Sequence, residues 1–115
     1  MPYIDFNTSV SLTPEQKIAF KTEMGKLITI LPGKNEEGLM VAVADGRDMW
    51  RSGRNDEPCA FVEIRVFHES PMDAKKQYVA AVLKYIGETF GIPAARCYLN
   101  FTEFANWGSG GEYKG

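Results

Sequence analysis

Apolar positions recur along the chain in two alternating rhythms, one of strand period and one of helix period. Tyr3, Ile4 and Phe6 fall among polar positions and predict a short strand over 3–7. The stretch Leu12-Thr13-Pro14-Glu15-Gln16 predicts a helix start. Thr13 suits the N-cap, Pro14 the first helical position, and Gln16 closes a capping box. Phe20, Met24, Leu27, Ile28 and Leu31 follow at helical spacing and form one apolar stripe. Pro32-Gly33 ends that helix, and Leu39–Ala44 is a continuous apolar run of strand length, the mark of a buried strand.

The second half repeats the plan. Cys59–Phe67 predicts a strand with Phe61, Glu63, Arg65 and Phe67 on one face and Val62, Ile64 and Val66 on the other. Ser70-Pro71-Met72-Asp73 reads as a second cap followed by proline. Val79, Val82, Leu83, Ile86 and Phe90 supply the second helical stripe, Gly91 sits at a left-handed C-cap position, and Cys97–Phe101 is the closing strand. The halves align at an offset of 58 residues, which sets Gly33 on Gly91, Phe20 on Tyr78 and Val41 on Leu99. Each half is then a β-α-β unit whose helix crosses over, so its two strands pair in parallel. The predicted fold class is α+β (α/β): one domain over 1–115, a four-stranded mixed sheet with two helices on one face.

That arrangement leaves the opposite sheet face, expected to carry Tyr, Phe, Val and Leu side chains, without a cover. Association of several copies through these faces is the simplest physical answer. Between the halves lies DGRDMWRSGRNDEP. Asp45-Gly46 and Ser52-Gly53 are turn signals in it, and Met49-Trp50-Arg51 is a candidate for a short extra strand. The glycine-rich tail WGSGGEYKG reads as irregular.

Composition narrows the partners. At 44% apolar and 24% charged residues the chain is typical of packed globular proteins. A net charge of −2 offers no electrostatic attraction for nucleic acid or an anionic membrane. No run approaches the roughly 20 apolar residues of a membrane span. Neither is there a charged N-terminus ahead of an apolar run. The expected location is therefore the cytoplasm, with export lacking a classical signal peptide left open. Cys59 and Cys97 make no disulfide framework and fit a reducing compartment. His68 stands alone without ligand spacing, so neither metal nor cofactor is expected. Arg47, Arg51 and Arg54 have the charge to steer anions, but a solvated loop is the favoured reading. GSGG lacks the strand-to-helix setting of a phosphate loop.

Candidate chemistry begins at Pro2. Removal of Met1 exposes a secondary amine, a group whose proton affinity burial and nearby positive charge bring toward neutrality. With Met1 attached, the Pro2 nitrogen is a tertiary amide with no basic lone pair. The plainer reading is that Pro2 begins an edge strand.

Taken in order, Pro2 after Met1, Gly33-Lys34 after the first helix, DEPCAF, CYLNF and ANWG resemble the macrophage migration inhibitory factor family of the tautomerase superfamily, over nearly the whole length. The resemblance implies a homotrimer whose three sheets form a central barrel. It also implies keto–enol tautomerase activity on phenylpyruvate-like acids, with Pro2 as catalytic base. By the same resemblance Lys34 meets the substrate carboxylate and Phe67 takes the place of an apolar pocket wall. Tyr98 and Asn100 are the polar pair offered by a neighbouring subunit, and Trp107 lines the pocket mouth. Plainer alternatives are a helix C-terminal cation for Lys34 and ordinary strand polarity for Tyr98 and Asn100. A second functional class, an exported cytokine-like ligand for a protein receptor that keeps the pocket as a vestige, shares the same fold. The Cys-x-x-Cys of many mammalian members is absent, since Val62 stands where the second cysteine would be, and its thiol chemistry is not carried over.

Overall fold

The computed structural model describes residues 1–115. Its main elements are β1 (Pro2–Thr8), α1 (Pro14–Leu27), β2 (Met40–Ala44), β3 (Ala60–Phe67), α2 (Met72–Phe90), β4 (Cys97–Phe104), β5 (Trp107–Ser109) and β6 (Glu112–Lys114). The larger sheet runs β2-β1-β3-β4. Each β-α-β unit pairs its strands in parallel, and the units meet antiparallel along β1 and β3. Shifting β1, α1 and β2 by 58 residues lands them on β3, α2 and β4, so the duplication is structural.

Local chemistry accounts for most element ends. Thr13 and Gln16 form the reciprocal capping box, side chain to backbone in both directions. Gly33 and Gly91, equivalent in the two halves, hold φ of 77° and 66° in the left-handed region. The second helix start differs from expectation. Pro71 is the N-cap and has no capping side chain. The Ser70 N–H instead donates to Glu103 Oε2 on β4 at 2.7 Å.

Both helices lie on one face. Phe20, Met24 and Ile28 from the first half and Tyr78, Val82 and Ile86 from the second close over Ile4, Phe6, Val62, Ile64 and Val66, all fully buried. Leu99 and Phe101 pack against this core as well. The open face is thus not the Val- and Leu-bearing surface expected. Its rows, read across the register, are Met40-Tyr3-Arg65-Thr102, Ala42-Asp5-Glu63-Asn100 and Ala44-Asn7-Phe61-Tyr98, which mix aromatic and polar groups. The sheet's valines and isoleucines all lie under the helices.

Three further expectations change. β1 is an inner strand, so Pro2 does not begin an edge; as the first residue of its strand it gives up no ladder bond further along. Met49-Trp50-Arg51 is not a strand. Only Arg51 bridges, to Arg54 across Ser52-Gly53, and the buried Arg96 guanidinium ties that loop down through the carbonyls of Arg51, Arg54, Glu57 and Pro58. The tail is ordered: β5 and β6 pair as an antiparallel hairpin around Gly110-Gly111. No helix is long and apolar enough to cross a membrane.

Candidate active site

Pro2 opens β1 opposite Val66, near the end of β3. The β5–β6 hairpin folds back over this end of the sheet. It is held by Trp107, whose ring centroid lies 6.3 Å from Phe67 and 6.2 Å from Phe104. Between the hairpin and the open-face row of Met40, Tyr3 and Arg65 lies a cavity of about 430 Å³ that reaches Pro2. Gly38 is part of its wall, where an added Cβ would stand 4.0 Å from Pro2 Cδ.

Lys34 comes to the same corner from the turn after α1. Its Nζ donates to the Phe67 carbonyl at 3.3 Å, not to a helix carbonyl, so the helix-capping alternative is not what the fold does with it. Lys114 stands directly across the hairpin from Trp107. The Met1 amine, the last group before Pro2, has its pKa lowered from the ordinary 8.0, first by burial and then by the charges of Lys34 and Lys114. Burial and these two charges thus disfavour the protonated form of the Met1 amine.

Pro2, Lys34, Phe67 and Trp107 therefore converge. Tyr98 and Asn100 do not. Both project from the open face, Tyr98 with its hydroxyl accepting from Arg51 Nε at 3.2 Å and Asn100 with Oδ1 accepting from Thr102 Oγ1 at 3.4 Å. Tyr98 is in register with Phe61, five positions along β3 from the partner of Pro2, which is roughly 16 Å at strand rise. Asn100, in register with Glu63, is nearer but still roughly 10 Å away along the strand. Sequence reasoning had not assigned Tyr3, Met40, Arg65 and Lys114 to this site. Arg65 was readable, since strand alternation sets it on the face of Phe67. Lys114 was not, because its placement depends on the hairpin.

A larger groove of about 520 Å³ runs between α2 and β4, but its charged pair, Lys75 and Glu103, is closed on itself at 2.7 Å. Only the Pro2 cavity brings the chain's α-amine beside the charges of two lysines, Lys34 and Lys114. The model of the macrophage migration inhibitory factor family matches residues 1–112. The chain belongs to that family. A macrophage migration inhibitory factor homolog of Trichuris trichiura is 28% identical over 105 residues, covering 90% of this chain and 89% of the relative. Among solved structures, Leishmania major MIF2 superposes with a TM-score of 0.88 at 25% identity, over 98% of this chain and 97% of that one. The macrophage migration inhibitory factor of Toxoplasma gondii does so with a TM-score of 0.79 at 27% identity, over 96% and 98%. Membership puts the function in the tautomerase-type or migration-inhibitory-factor-like class. Both thiols of this family member are buried, and burial pushes the Cys97 thiol up, away from a reactive thiolate.

Proposed function

We propose that the chain is a cofactor-free keto–enol tautomerase acting on a phenylpyruvate-like 2-oxo acid, with Pro2 as its base once Met1 is removed. The observation that carries this reading is the cavity at Pro2, with Trp107 in its wall, where burial and the charges of Lys34 and Lys114 lower the pKa of the adjoining Met1 amine. In the forward direction the Pro2 nitrogen takes a proton from the carbon next to the carbonyl. The C–H pair becomes the C=C bond, the carbonyl oxygen takes up the negative charge, and the protonated Pro2 nitrogen gives its proton back to that oxygen, which restores the base. Lys34 holds the substrate carboxylate, while Phe67 and Trp107 keep water from the reacting carbon. Tyr98 and Asn100, supplied by an adjoining copy, orient the substrate and donate toward the developing enolate oxygen.

The test is tautomerisation of phenylpyruvate by protein whose intact mass shows Met1 absent. Pro2→Ala is expected to lose about 10²–10⁴-fold in kcat/KM, the usual worth of a positioned base. Full activity in that variant overturns the assignment. In the wild type kcat/KM should rise with pH as the amine loses its proton, then level off. Removing a positive charge that depresses the amine, as in Lys114→Ala, should move the midpoint upward. An unmoved midpoint would show that Lys114 does not act on the base.

A further inference from the structure

The proposed reaction uses one cation, Lys34, for one carboxylate. The cavity offers more. Arg65 lines it directly, and no Asp or Glu does. The Arg65 guanidinium carbon sits 5.8 Å from the Tyr3 ring centroid, so the aromatic face fixes its orientation. One nitrogen, Nη2, is held by Glu63 Oε2 at 2.8 Å. Glu63 takes one of the two Nη2 N–H groups, so the other, with Nε and Nη1, has no partner within the chain and one two-donor edge stays open; the side chain is 47% exposed. Lys114, opposite Trp107, adds positive charge from the hairpin side.

We propose that the Pro2 cavity is built for a 2-oxo diacid: Lys34 takes the carboxylate next to the carbonyl and Arg65 takes the distal one. This rests on the tautomerase reading of the same site and leaves its proton transfer unchanged. A monoacid leaves the free edge of Arg65 facing an apolar end of the substrate, which desolvates a charge for nothing in return. A distal carboxylate meets the second Nη2 N–H together with the parallel N–H beside it on the same edge, a two-donor geometry guanidinium supplies and ammonium does not. Glu63 does not cancel the effect. It occupies one N–H from outside the cavity, and by doing so stops the arginine from turning away.

The experiment compares matched acids on Met1-free protein: 2-oxoglutarate against 2-oxopentanoate, and oxaloacetate against 2-oxobutanoate. Exchange of the C3 protons for deuterium is followed by NMR, with KM and kcat taken separately. At least one diacid is expected to exceed its monoacid partner by about 10–100-fold in kcat/KM, the worth of a charge-assisted pair, mostly through KM. In Arg65→Met that ratio should fall toward one. In Arg65→Lys, which keeps the charge and loses the fork, it should fall only part of the way. Monoacids that exchange as well as diacids overturn the diacid assignment and leave the tautomerase reading standing. A diacid preference that survives Arg65→Met overturns the role of Arg65. If none of the four acids exchanges while phenylpyruvate is tautomerised, the diacid assignment fails and the tautomerase reading stands; if phenylpyruvate is inert as well, both fail.

Discussion

Tyr78 is the residue in this core whose chemistry and surroundings agree least. It is fully buried, its hydroxyl has no hydrogen-bond partner, and burial alone drives its pKa far up. Its ring packs edge-on to Phe101 at 6.0 Å. The equivalent residue in the first half, Phe20, fills the same position with no hydroxyl and stacks on Phe6 at 4.4 Å. An unpaired buried hydroxyl costs stability and contributes no contact that phenylalanine lacks. Tyr78→Phe is therefore expected to stabilise the chain by about 1 kcal/mol, seen as a Tm higher by a few degrees. A lower Tm would mean that the hydroxyl does have a partner. His68 teaches a different lesson about single residues. Weighed from sequence as a metal ligand, it is a backbone device: φ is 71°, its N–H donates to the Phe104 carbonyl at 2.9 Å, and its ring stacks on Phe67. A side chain's identity does not reveal that its backbone is the part in use.

At the scale of elements, the periodic segments were legible because burial on one face imposes a period on their residues. The tail was not. Its strands have three residues each, too few to show a period, and its glycines suggested irregularity. Yet Gly110-Gly111, both at positive φ, is the dipeptide that a two-residue hairpin requires. Missing it hid the wall that closes the cavity. The start of α2 was misread for a related reason: its anchor, Glu103, is 33 residues from Ser70. Glu103 accepts from the Ser70 N–H and from Lys75 Nζ, each at 2.7 Å, with both side chains under a fifth exposed. Burial by itself would raise the Glu103 carboxyl. The two hydrogen bonds, with the charges of Lys75 and Lys34, outweigh burial and hold it below the ordinary 4.5. A depressed folded value means stability that is present above pH 4.5 and lost as pH falls through the folded value. Glu103→Gln should cost about 1–2 kcal/mol in urea unfolding at pH 7, and the gap to the wild type should narrow as the pH falls below 4.5 and through the folded value of Glu103. A gap that stays open in acid would mean the charge on Glu103 contributes nothing to that contact.

At the scale of the whole molecule, the duplicated plan and the mixed sheet could be read from one offset, while the character of the open face could not. Alternation says which residues share a face but not which face the helices choose. Here they cover Val62, Ile64 and Val66 and leave Tyr3, Glu63, Arg65 and Tyr98 open. That face is too polar to demand a cover by area alone, so the argument for association moves to the site. Tyr98 and Asn100 lie too far along the sheet from Pro2 to serve the cavity of their own chain. If they act there, they come from another copy, and a closed ring of identical copies supplies every cavity in the same way. A mixing experiment decides this. Pro2→Ala chains lack the base, and chains carrying Tyr98→Phe with Asn100→Ala lack the polar pair, so each is expected to be impaired alone. Unfolding and refolding the two together at equal amounts puts an intact Pro2 next to an intact pair in roughly a quarter of the sites of a closed ring. Activity should recover to about that fraction of the wild type, together with a trimer mass by light scattering. If the pair served its own chain, no mixed assembly would contain a complete site, and the mixture would be no more active than its parts.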